Sequence, residues 1–177
     1  MLKRHPHTPP HLLLDATPYF LTGAIHEKRR LLSAELKWRL IELLQEKFVS
    51  FGWELHHWVV LDNYYHAMGL SKDGKDLPDL IKQLHASSAG DIRAATDCCL
   101  PVWWNYWDYC PRNDRDYAIR LNYLLNNPIK HGYTDNLHDY PFSSFGGLYE
   151  EKGRTRLADQ FRQFGEYKTL RIEEDDF

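Results

Sequence analysis

What this sequence of 177 residues lacks narrows it first. It has three cysteines, two of them adjacent at Cys98 and Cys99 and the third at Cys110. Neither a disulfide framework nor a CxxC zinc site can be built from them, so all three read as reduced and incidental. No run approaches the roughly 20 apolar residues that span a bilayer. The opening residues, Met1-Leu2-Lys3-Arg4-His5-Pro6, hold no apolar stretch of signal-peptide kind. The expectation is a cytoplasmic protein with no membrane partner. An excess of positive charge is missing too: the formal net charge is −3, which argues mildly against nucleic acid as a partner. Yet four acids, Glu173, Glu174, Asp175 and Asp176, crowd into the last five residues. The rest of the chain is close to neutral and is free to present a local basic groove, so composition neither supports nor excludes DNA.

What is present is a chain 43% hydrophobic, enough for one domain with a real core. Residues 1–16 are rich in Pro and His and show neither helical nor strand period, as in an extended arm. His5, His7, His11 and His26 fit no common zinc spacing and read as loop residues. Tyr19 to Ile25 is aromatic and apolar with little polarity, a strand buried on both faces, with Thr22 at its middle. The basic cluster Lys28, Arg29 and Arg30 follows in a turn. Ser33 is a good N-cap for a helix to about Phe51, with Leu36, Leu40, Leu43, Leu44 and Phe48 at helical spacing and Gly52 closing it. Trp53 to Leu61 and Tyr65 to Ser71 read as two strands joined by a tight Asp62-Asn63 turn. Asp76 caps a helix from Leu77 to about Ala95, whose core stripe is Leu80, Ile81, Leu84 and Ile92. Trp103 to Cys110 reads as a fourth, unusually aromatic strand, and a last helix begins near Asp114. The order β-α-β-β-α-β, then α, predicts an α+β fold with the antiparallel sheet of the ferredoxin-like split βαβ and an extra helix. After Pro141 the periodicity fades; Phe161, Phe164 and Tyr167 suit a short helix packed on the body, and the acidic end reads as mobile.

The last helix carries the sharpest signal. Tyr117, Leu121, Leu124 and Leu125 form its apolar stripe. Tyr123 and Asn127, four apart, stack on another face with Asp116 and Arg120 beside them. Pro128 is expected to end the helix, because it disfavours helical geometry at Asn127 and has no N–H to donate. A phenol one turn from a helix end with an amide beneath it suits a nucleophile and a ligand; by spacing alone it also suits a surface tyrosine.

The run from Trp103-Trp104-Asn105-Tyr106-Trp107-Asp108, through Tyr123-Leu124-Leu125-Asn126-Asn127-Pro128-Ile129-Lys130-His131-Gly132, to Asp139-Tyr140-Pro141-Phe142-Ser143-Ser144 resembles the small single-tyrosine HUH transposases. Within them it is most similar to the REP-associated tyrosine transposase (RAYT) group, with its W-x-x-Y-W-D, Y-I-x-x-N-P-V-K-x-G and D-Y-P-x-S-S segments. The resemblance implies the split βαβ architecture, Tyr123 as nucleophile and Asn127 as a metal-coordinating amide. It divides the chain into an arm over 1–16, a catalytic domain over 17–145 and a C-terminal extension over 146–177. Members work on single-stranded DNA folded as hairpins. A monomer is favoured, with a homodimer as the alternative, since larger relatives swap the tyrosine helix between subunits.

In that family a strand presents His-U-His, U being a bulky apolar residue; i and i+2 of a strand share a face and suit one ion. This chain reads Trp58-Val59-Val60-Leu61-Asp62-Asn63-Tyr64-Tyr65-His66. His66 is the second histidine of the pair, and Tyr64 stands where the first belongs. Tyr64 is a disabling change, a phenolic ligand or an engineered substitution. Neutral phenol is a poor ligand for Mg²⁺ or Mn²⁺, and a phenolate is costly with a pKa near 10. Asp62 is a carboxylate that would compensate in part. His56 and His57 alternate faces further back, so at most one approaches the site.

The implied chemistry is attack of the Tyr123 oxygen on a DNA phosphorus, leaving a 5′-phosphotyrosine and a free 3′-OH, with a divalent metal, Mg²⁺ or Mn²⁺, polarising the phosphate. The rival expectation is a catalytically inactive protein that only binds hairpin DNA. Arg112, Arg120, Asn126 and Lys130 are the first candidates for DNA contact. Trp104 is a candidate for stacking unpaired bases, although a strand this aromatic mostly packs core.

Overall fold

In the computed structural model, which describes residue 11, residues 13–99 and residues 101–172, eight principal elements follow in order. They are β1 (Pro18–Ile25), α1 (Ala34–Ser50), β2 (Glu54–Val60), β3 (Tyr64–Leu70), α2 (Leu77–Thr96), β4 (Trp103–Tyr109), α3 (Asp114–Lys130) and α4 (Phe145–Gln163). The four strands form one antiparallel sheet in the order β2-β3-β1-β4, which is the split βαβ arrangement the element order predicts. Most of the proline- and histidine-rich arm and the acidic end lie outside the described residues.

Alternation of side chains along each strand gives the sheet two apolar faces. Tyr19, Leu21 and Ile25 of β1, with Val60, Tyr65 and Ala67, pack against the leucines of α1 and α2. Phe20, Val59 and Met68 point the other way, onto Leu121, Tyr123, Leu124 and Leu125 of α3 and onto Phe145, Leu148 and Leu157 of α4. β1 is therefore buried on both faces, as its unbroken apolar run requires. Gly23 lies on it where a Cβ would run into the ring of Tyr65.

Local signals set most boundaries. The Ser33 hydroxyl accepts from the Leu36 amide at the start of α1, and the Asn113 side chain does the same for Asp116 at the start of α3. Asp76 stands at the α2 N-cap without a side-chain cap bond; Asp73 caps the single 3₁₀ turn before it, through Lys75. The turn between β2 and β3 closes with the Leu61 amide donating to the Tyr64 carbonyl at 2.9 Å.

Two expectations need correction. Pro128 does not end α3, which runs through it to Lys130. A proline in the last turn costs one amide–carbonyl bond, and the amides beyond it still close the helix: His131 to Asn127, Gly132 to Ile129 and Tyr133 to Pro128. Gly132, with φ +70°, ends it instead. The stretch after Pro141 is not a short helix but the 19-residue α4, broken internally by Gly153 at φ +77°. Three glycines and a charged surface hide its period.

The chain between α3 and α4 closes the β2 edge over residues 58–60. The Val60 amide donates to the Phe142 carbonyl, the Ser144 amide to the Trp58 carbonyl and the Trp58 amide to the Ser144 hydroxyl. The Tyr140 hydroxyl donates to the Val60 carbonyl at 2.7 Å. An uncovered edge would template further pairing; this segment occupies its last three residues.

Candidate active site

Two elements bring the candidate residues together. On β3, Tyr64 and His66 are two apart and share the sheet face that meets α3. On α3, Tyr123, Asn127 and Lys130 recur at intervals of four and three and share one helix face. The rings of His66 and Tyr123 lie 5.7 Å apart between centroids, and those of Tyr64 and His66 5.0 Å. The Tyr64 hydroxyl donates to Oδ1 of Asn127. Lys130 Nζ donates to the Tyr123 hydroxyl at 2.9 Å and sits 4.5 Å from the centre of its ring.

Tyr123 and Asn127 are buried, 1% and 0% exposed, and not the edge of a surface face. Both face the sheet, where Tyr123 packs on Phe20 and His66 and the Asn127 oxygen meets Tyr64. α4 covers another side of α3, where Asn122 Nδ2 donates to the Gln160 and Phe164 carbonyls and Asn122 Oδ1 accepts from Gln160 at 2.7 Å. A helix enclosed on two sides buries polar residues that an apolar stripe does not count, provided they find partners.

Thr22 was legible only as a mid-strand polar residue. In the sheet it is the Cα partner of His66, and its hydroxyl lies 2.8 Å from His66 Nδ1. That bond fixes the imidazole's rotation, as the outer hydrogen bond of a ligand histidine does. His131, just beyond α3, packs its ring 5.8 Å from that of Tyr64.

The other candidates are placed elsewhere or serve the packing. Asp62 is turned away, its carboxylate 2.6 Å from Lys37 Nζ and 3.8 Å from Arg30 Nε. The buried Lys37 ammonium is also ringed by Tyr133, Tyr140 and Phe142, the last 4.8 Å away. Arg120 lies 3.4 Å over the Tyr109 ring and 3.3 Å from Asp116. Burial raises the Asp116 carboxyl, but the Arg112 amide, the Tyr109 hydroxyl and Arg120 outweigh it and hold its pKa below the usual range. Arg112 itself is exposed in the turn before α3, where its amide donates to Asp116. Asn126 is half-buried on α3. Trp104 is 54% exposed at the β1–β4 register shift, its ring against His26. His56 faces Glu54 and Tyr117, and His57 pairs across the sheet with Met68.

The donors do not fit a hard dication as they stand. His66 supplies one oriented imidazole, but the Asn127 oxygen already accepts from a neutral phenol, and the Asp62 carboxylate belongs to Lys37. The buried Asn127 Nδ2 has no hydrogen-bond partner among the described residues; it is a donor, which suits an anion and not a cation. Among the described residues no group of three His, Cys, Asp or Glu side chains gathers in metal-binding fashion.

No protein-family model matches the chain. It is similar to a REP-associated tyrosine transposase of Escherichia coli K12, 26% identical over 134 residues that cover 73% of this chain and 76% of that one. A putative REP-associated tyrosine transposase of Haemophilus influenzae Rd is 45% identical over 45 residues, 25% of this chain and 26% of that relative. The fold is shared with a solved REP-associated tyrosine transposase bound to a REP hairpin, at a TM-score of 0.64 and 22% identity, covering 82% of this chain and 84% of that one.

Proposed function

From the similarity to REP-associated tyrosine transposases we propose that the chain binds single-stranded DNA folded as a hairpin and carries a tyrosine transesterification centre that Tyr64 restrains. The observation that carries this reading is the convergence of Tyr123, His66, Asn127 and Lys130 with the Tyr64 hydroxyl bonded to the Asn127 oxygen.

In the reaction proposed, the Tyr123 oxygen bonds to a backbone phosphorus and the phosphorus–O3′ bond breaks. The phenolic proton is balanced by the one the departing 3′ oxygen acquires, leaving a 5′-phosphotyrosine and a 3′-OH. The link conserves the phosphodiester energy, so rejoining or strand transfer needs no nucleotide. Lys130 stabilises negative charge on the Tyr123 oxygen through the hydrogen bond it already makes. With the metal donors incomplete, recognition of the hairpin persists while cleavage is slow.

The test incubates a labelled single-stranded hairpin with the protein and with its Tyr64→His and Tyr123→Phe forms, following binding and covalent adduct separately. Binding by all three, a faint adduct for the unaltered chain, a stronger one for Tyr64→His and none for Tyr123→Phe is the expected pattern. A chain that binds and never forms adduct, even with histidine at 64, would instead be a hairpin-binding protein alone.

A further inference from the structure

Between the end of α3 and the segment following α4 lies a cavity of about 560 Å³ lined by Lys130, His131, Lys168, Thr169, Leu170, Arg171 and Ile172. Three of these seven residues are permanent cations, a fourth is a histidine, and none is acidic. In a chain of net charge −3, this is a local concentration of positive charge that the total conceals. One wall, Lys130, is the residue that donates to the Tyr123 hydroxyl, so the cavity adjoins the nucleophile. Lys168 and Arg171 reach it from the 3₁₀ turn Gly165–Lys168 and the residues after it. Tyr167 and Ile172, both buried in the α3/α4 core, hold that segment in place.

We propose that this cavity seats a backbone phosphate of the single strand flanking the hairpin, with Lys168 and Arg171 as its contacts and Lys130 linking it to Tyr123. The proposal rests on the hairpin-binding reading above. Its physical basis is that cations gathered with no acid among the described lining residues attract phosphate, and a guanidinium donates to two phosphate oxygens at once. Lys168 and Arg171 are exposed on their outer sides, so replacing them leaves the core intact. The C-terminal segment, unassigned by sequence reasoning, thereby becomes part of the DNA-binding surface.

The test compares the full chain with its Lys168→Gln/Arg171→Gln double variant. Affinity is measured across a salt series for a hairpin with a single-stranded 5′ flank and for the same hairpin with no flank. Each phosphate neutralised on single-stranded DNA contributes about 0.7 to the slope of log affinity against log salt, so emptying this one seat should reduce it by about 0.7. The expected result is that reduction with the flanked hairpin, a loss of affinity of at least tenfold at low salt, little change with the flankless one, and partial recovery in Arg171→Lys on the Lys168 background. Wild-type binding with an unchanged slope in the variant would overturn the seat and leave the hairpin reading standing; no hairpin binding by the wild type would overturn both. Thermal stabilisation by inorganic phosphate that the variant loses, with DNA affinity unmoved, would assign the cavity to a free anion and overturn the proposal.

Discussion

The hydroxyl of Tyr64 donates to the side-chain oxygen of Asn127, joining β3 to α3 across the face where His66 and Tyr123 meet. A phenol thus lies against the amide oxygen that the family resemblance assigns to a metal ion. Imidazole at position 64 removes that donor and supplies a neutral nitrogen in its place.

From this, Tyr64→His is expected to raise Mn²⁺ affinity on the order of 10–100-fold, the usual effect of gaining or losing one such group around a metal. Calorimetric titration of both forms measures it. Equal affinities would mean that position 64 does not contribute a ligand.

Tyr123→Phe removes one oxygen and one hydrogen bond from Lys130. Stability should fall by about 0.5–1.5 kcal/mol and DNA binding should stay, while any covalent adduct disappears. An adduct persisting in this variant would identify another tyrosine as the nucleophile.

Thr22→Val keeps the shape at the centre of β1 but strips the oxygen bonded to His66 Nδ1. A buried ring nitrogen left unbonded costs about 1–3 kcal/mol, read as a lower urea midpoint, and Thr22→Ser should recover most of it. If the valine form unfolds at the same urea concentration, Thr22 does not hold the imidazole.

Lys37→Met should be destabilising although methionine fills the same space. The ammonium is buried with Asp62 and within three aromatic rings. Breaking a fully buried pair costs about 3–5 kcal/mol; Asp62 is partly exposed and keeps Arg30 nearby, so about 1–3 kcal/mol is expected. A urea midpoint equal to that of the unaltered chain would show that the clamp contributes nothing.

Acid should weaken the fold through two histidines. Burial pushes the His85 imidazole down to about 3 and that of His57 to about 4, the latter with His56 and Lys152 adding to the effect. Unfolded histidine titrates near 6.5, so both are neutral in either state above that pH and their contribution is fully present. As pH falls from about 6.5 toward 4, the unfolded chain takes up protons that the folded chain refuses, and stability drops. Unfolding midpoints over that range should slope less steeply in His85→Gln; an unchanged slope would remove His85 from this account.

Much of the architecture was legible because local physics fixes it. The leucine spacing after Ser33, the unbroken apolar run of β1 and the i, i+2 placement of Tyr64 and His66 each follow from the period of one element. The resemblance likewise singled out Tyr123 and Asn127 on the last helix, Tyr64 and His66 on the strand, and Lys130 as a DNA contact; the fold brings these five together. Only the tertiary structure decided what depends on partners far along the chain. Packing of α3 on the sheet puts Tyr123 and Asn127 inside, against residues of β1 and β3, while α4 encloses Asn122 on another side. Strand register sets Thr22 beside His66, and Lys37 draws the Asp62 carboxylate away. Pro128 stays helical because the amides after it find carbonyls that no single-residue preference reports. Lys168 and Arg171 gather beside Lys130 from 38 and 41 residues further along the chain. Periodicity encodes which face of an element is apolar; what that face meets is a matter of long-range contact, and that is where this site is made.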